Sequence, residues 1–162
     1  SLSVLDNLSQ QMRKQSKSHR KFDVGAVSLA WGRHHEPVIL AGANFKPHGG
    51  KRRHRNGDYC AEMESIWAAT RMQCEEIIGM VVTAPHQPDE MTGTDFGVTV
   101  SCYYCRVEFR SERKKPKSPL KGHTRLRFNH PIDPTIHFER SVDEFLALFP
   151  NDPEWVPDRG GT

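Results

Sequence analysis

Two short stretches of the chain carry residues able to do chemistry together: Cys60-Ala61-Glu62, and Cys102 with Cys105 in Cys102-Tyr103-Tyr104-Cys105. Each stretch is placed to open a helix. A cysteine at a helix N-terminus feels the positive end of the helix dipole, which favours the thiolate. Two cysteines three residues apart share one helical face and can grip a single metal ion. With Cys60 they make three thiolates, which leave tetrahedral Zn²⁺ one open corner, the pattern of a catalytic rather than a closed structural site. Cys74 is the fourth cysteine, but along a continuous helix from Cys60 it would lie about 21 Å away. His48 and His54 are the alternative closing ligands. Glu62 separates the two readings. Two residues after the first sulfur, it projects from the first helical turn near the metal without having to bind it, and can pass protons. A structural zinc site needs no such carboxylate, although an acidic residue in a first helical turn is common for dipole reasons alone.

The elements that must hold these residues follow from pattern. Leu5, Leu8 and Met12 recur at helical spacing, predicting a helix from residue 4 to about 17 behind a capping box at Ser3 and Asp6. Strands are expected at Phe22–Trp31 and from Pro37 toward Asn44, joined as a hairpin across a short turn. Residues 45–59 read as a basic loop, Cys60–Gln73 as a helix, Ile77–Ala84 as a buried strand, Phe96–Ser101 as another, and Cys102 onward as a second buried helix. Arg125–Asn129 has the alternation of an edge strand, and Ser141-Val142-Asp143-Glu144 opens a short helix to Phe149. Strands and helices in this order predict an α/β fold, a three-layer α/β/α sandwich around a mixed sheet of about five strands. The expected organisation is one domain over 1–150 and a loose tail over 151–162.

The 162 residues carry 23 Lys+Arg against 20 Asp+Glu, a net charge of +3 that is modest for a nucleic-acid binder. Apolar residues make up 36% of the chain, and no apolar run approaches the length of a membrane helix. Cys-x-x-Cys without a recognisable secretory leader reads as metal or redox chemistry rather than a disulfide framework, in a protein expected to be cytoplasmic. Two basic segments stand out, Lys51-Arg52-Arg53-His54-Arg55 and residues 110–127. They are read as solvated loops or as a seat for a small anionic group. Phosphates of a nucleic acid are the less favoured partner, since aromatic residues are not interleaved with the basic ones.

Cys60-Ala61-Glu62 followed by Ser101-Cys102-Tyr103-Tyr104-Cys105 resembles the zinc deaminase signature, with Cys in the first ligand place and Ser101 where proline is usual. With Phe22-Asp23-Val24-Gly25-Ala26 and Gly42-Ala43-Asn44, residues 20–110 resemble, in order, the small cytidine deaminases. Glu144–Pro150 and Glu154-Trp155 resemble the end of the blasticidin S deaminase branch. The resemblance implies a hydrolase acting on cyclic amidines. It would convert a cytosine-type nucleoside or derivative to the uracil form with Zn²⁺ as cofactor, Cys60, Cys102 and Cys105 as ligands, and Glu62 as proton carrier. It implies Phe22 at the ring, Asn44 at the sugar, the Ala61 backbone N–H at the base carbonyl, and a homo-oligomer, tetramer or dimer. Arg106 is the candidate for offsetting the thiolates' charge. Lys46 stands where such enzymes usually carry a ribose-binding Glu, and Met63 where many carry an Arg, so an anionic substrate is favoured over plain cytidine. A cytosine deaminase of single-stranded nucleic acid and a non-catalytic zinc-stabilised binding module are the competing functions.

Overall fold

A computed structural model describes residues 1–16, 22–45 and 60–154. His48, His54, Lys46, the basic run 51–55 and Trp155 lie outside the described residues. The elements in order are a 3-10 turn at Leu2–Leu5, α1 (Asp6–Arg13), β1 (Gly25–Trp31), β2 (Pro37–Ala43), α2 (Ala61–Arg71), β3 (Glu76–Thr83), α3 (Tyr103–Arg113), β4 (Arg125–Asn129), β5 (His137–Ser141) and α4 (Val142–Ala147). The sheet has five strands in the order β2-β1-β3-β4-β5. β1 and β2 form the expected antiparallel hairpin, Gly25 opposite Ala43 and Trp31 opposite Pro37. β3 runs antiparallel to β1 and parallel to β4, and β5 returns antiparallel to β4. A parallel pair needs a crossover, and α3 with its flanking loops supplies it. That crossover carries two of the three cysteines to the same region as the start of α2.

Helix α1 covers one face of the sheet, with Leu5 packed on Val27 and Val81. The other helices share a single apolar core on the opposite face. Met63, Ile66 and Ala69 of α2, Phe109 of α3, and Val142 and Phe145 of α4 meet Met80, Val82, Leu126 and Phe128 of the sheet. These three layers are the sandwich expected from sequence. Two glycines permit close approaches of backbone to backbone. A Cβ on Gly25 would stand 2.1 Å from the Ser9 carbonyl oxygen of α1, and one on Gly42 would stand 2.4 Å from the Ala61 carbonyl oxygen. Gly42 thereby lets β2 press against the turn that holds Cys60 and Glu62.

The expectations fail at four places. Phe96–Ser101 is not a strand. Gly97 turns the chain at φ +80°, its N–H bonded to Asp95 Oδ1 at 2.8 Å, and the Gln87 N–H is taken by the Thr99 hydroxyl at 2.7 Å. Val98 and Val100 are buried as a strand pattern requires, but side-chain bonds replace the ladder. β5 is the fifth strand instead, so Arg125–Asn129 is an interior strand rather than an edge. At the N-terminus Ser1, not Ser3, caps the first turn, and Asp6 is drawn to Arg127 at 2.9 Å and to Asn129 at 2.7 Å. Residues 151–154 are not loose throughout, because the Asp152 carboxylate is nearly fully buried. The capping box at Ser141 and Glu144 is present as expected.

Candidate active site

Cys60 and Cys102 occupy equivalent places, each the residue that caps a helix N-terminus in extended backbone conformation (φ −79°, ψ 143° and φ −68°, ψ 168°). Their carbonyls accept the first helical hydrogen bonds, from Glu64 N–H at 3.1 Å and Arg106 N–H at 2.9 Å. Cys105 follows one turn into α3. The three sulfurs lie within 4.8 Å of one another. Zinc–sulfur bonds of about 2.3 Å in a tetrahedron set sulfurs about 3.8 Å apart, so small side-chain rotations suffice to seat the ion. Cys74 belongs to the apolar core and not to this group.

The chemistry of the three thiols fits a metal. Contact with the Cys102 sulfur raises Cys60 well above the ordinary thiol value. Burial and the charges of Cys102 and Glu62 add to this, against a lowering by Cys105. Cys105 is pushed up in the same way, first by Cys102, then by Cys60 and by burial. Sulfurs crowded like this resist ionising together unless a cation compensates them, and zinc requires thiolates.

Glu62 is 5% exposed, in the first turn of α2. Its Oε2 accepts a hydrogen bond from the Ser101 hydroxyl at 2.7 Å. Burial, then the nearby Cys102, raise its pKa from the usual carboxylate value, and the Ser101 bond opposes that rise. A carboxylate shifted upward in a dry site is suited to taking a proton and giving it back. Ala61, fully buried, is the first residue of α2.

Phe22 and Asn44 are brought together. Phe22 packs against the apolar core, and its carbonyl accepts from Asn44 Nδ2 at 2.7 Å. Asn44 Oδ1 accepts from Val24 N–H at 2.9 Å and from the Ser16 hydroxyl. Asn44 therefore clamps the end of β2 to the segment entering β1, with one amide proton left over among the described residues.

Arg106 has a different employment from the one expected. Its side chain is fully buried, NH1 reaching Asp89 at 2.7 Å and Nε reaching Asp152 at 2.7 Å. A guanidinium already matched by two carboxylates has no net charge to lend to thiolates. Its route to the site is one hydrogen bond, from NH1 to the Ser101 carbonyl at 2.9 Å. Asp89, Ser101 and Asp152 are the site-supporting residues that sequence reasoning missed. Only Ser101, adjacent to a ligand and standing in a proline place, carried a signal.

No family model matches the sequence, and no curated protein matches it. Solved structures do. A cytidine deaminase from Burkholderia pseudomallei superposes with a TM-score of 0.66 at 14% identity, over 94% of this chain and 99% of that one. Those from Mycobacterium leprae (TM-score 0.52, 12% identity, 90% and 97% covered) and Mycobacterium tuberculosis (0.50, 14%, 93% and 95%) superpose over nearly their whole length. The chain has the cytidine deaminase fold. Within that fold, the thiol cluster and Glu62 occupy two facing helix starts, held by α2 and the β3–α3–β4 crossover.

Proposed function

We propose that the protein is a zinc-dependent hydrolytic deaminase. It would convert a cytosine-type nucleoside or nucleoside derivative, with water, to the uracil form and ammonia. One observation carries the reading: a buried carboxylate stands beside three convergent thiols at two helix N-termini in a cytidine deaminase fold. Cys60, Cys102 and Cys105 would hold the metal, which supplies an acidified water at neutral pH. Glu62 moves the protons, carrying the first of the water's two protons to the ring nitrogen and the second to the amine, which leaves as ammonia. The α2 start presents the Ala61 N–H to the base carbonyl, with Phe22 beside the ring and the remaining Asn44 amide proton toward the sugar or its replacement. A homo-oligomer belongs to the same proposal, and sedimentation of the zinc-loaded protein checks it.

The competing functions fare less well. A binding module stabilised by zinc gains nothing from a desolvated carboxylate, whose burial is unfavourable. Action on single-stranded nucleic acid draws its support from the run 51–55, which lies outside the described residues, and from the basic stretch 110–127, where much of the charge is already paired. Arg110 pairs with Asp152, Arg113 with Asp143, Lys115 with Glu112, Arg125 with Glu139, and Arg127 with Asp6. Among the described residues, no helix is long and apolar enough to cross a membrane. The test is ammonia release from cytidine, deoxycytidine, CMP, blasticidin S and a cytosine-containing oligonucleotide. The Glu62→Gln variant is expected to keep its zinc and lose at least about a hundredfold in turnover. Equal turnover in that variant would remove Glu62 from the chemistry.

A further inference from the structure

Ser101 does two things at once. Its hydroxyl donates to Glu62 Oε2 at 2.7 Å, across 39 residues of sequence, between two side chains that water scarcely reaches. Its carbonyl accepts from Arg106 NH1 at 2.9 Å. Arg106 cannot drift: NH1 also holds Asp89, Nε and NH2 grip Asp152 at 2.7 and 2.8 Å, and the guanidinium lies 3.7 Å from the Phe149 ring centroid. The Ser101 peptide is thus held from behind by a guanidinium that is itself fixed on several sides. Proline, the residue usual at this place in the resembled pattern, offers no hydroxyl.

A glutamate carboxylate turns about three side-chain torsions, and proton transfer needs one oxygen at a fixed place. A buried donor on Oε2 restricts that freedom. We propose that Ser101 is a positioning residue that holds the Glu62 carboxylate by Oε2 in its proton-carrying orientation, with Arg106 fixing the Ser101 backbone. The inference rests on the reading of Glu62 as the proton carrier.

The test compares zinc-loaded wild type, Ser101→Ala, Ser101→Gly and Ser101→Thr by crystallography and by steady-state ammonia release from the best substrate of the panel. The Ala and Gly variants are expected to retain zinc and to lose about tenfold to a hundredfold in kcat, with KM within about twofold, because the ring is still bound but the proton carrier wanders. Thr, which keeps the hydroxyl, restores most of the rate. In the Ala or Gly crystal the Glu62 carboxylate leaves its wild-type place, and in the Thr crystal it stays. A carboxylate unmoved without the hydroxyl, or an unchanged kcat, overturns the assignment. Should zinc-loaded wild type deaminate nothing, the functional reading fails, while the crystals still decide whether Ser101 places Glu62.

Discussion

Each of the three sulfurs is close enough to the other two to be useless alone. Cys60 and Cys105 carry thiol pKa values raised by their neighbours and by burial, so in the metal-free protein both hold their protons at neutral pH. Under the proposed function zinc must displace them. Its affinity is therefore expected to rise with pH by about tenfold per unit for each thiol displaced, about a hundredfold for these two. Competition against a chromophoric chelator at three pH values between about 6 and 8 measures it; a flat response would show that the thiols are already ionised. Cys105→Ser is expected to bind zinc far more weakly, with a lowered Tm in the zinc-loaded state. Much of this was legible in the sequence, because helix-start cysteines and a following glutamate declare themselves by type and spacing. What Ser101 and Arg106 touch was not, since their partners are 39 and 46 residues away and depend on how the crossover and the chain end come to rest.

Among the elements, those with a strong period were read correctly to within a few residues. The predicted helix Cys60–Gln73 is α2, Ala61–Arg71, ended where Gln73 takes a left-handed φ of 56°. Phe96–Ser101 misled because alternating burial does not require a ladder, only an extended chain against a core. β5 escaped because His137-Phe138-Glu139-Arg140-Ser141 is an edge strand, and charged residues on an edge hide the apolar alternation. The short segment after α4 matters most for stability. Burial raises the Asp152 carboxyl, but Arg106 and Arg110 together pull it below its ordinary value of 3.8. Asp152→Ala leaves Arg106 buried with half its compensation, a change expected to lose about 3–5 kcal/mol in denaturant melts. Because the folded-state pKa is depressed, the Asp152 contribution is complete above the unfolded-state pKa. It fades as pH falls through the folded-state value. The gap between wild type and variant should accordingly narrow below about pH 4. A gap that does not narrow at all as the pH falls below about 4 would mean that packing, not charge, is what Asp152 contributes.

For the whole molecule, a mild excess of basic residues is the only global hint of a polyanionic partner, and in the stretch 110–127 most of it is paired with acids of the fold. The ion pairs along 110–127 reach acids in α1, α3, β5, α4 and the segment beyond it. These residues tie the sheet to its helices. A cytosine-containing oligonucleotide is therefore expected to bind weakly or not at all at about 50 mM salt, and to lose what binding it has as salt is raised, by fluorescence anisotropy. Tight binding with a slope of several charges would return the nucleic-acid function to first place.

Arg106 sits in the crossover helix, yet one of its two carboxylates comes from nearly the last stretch described. A ribosome delivers Cys60, Glu62, Cys102 and Cys105 long before it delivers Asp152. The nascent chain can gather its sulfurs early, but the second carboxylate that anchors the peptide behind Glu62 arrives only with Asp152. Cleavage just ahead of Asp152 would spare every ligand and still slacken the reaction centre from a distance.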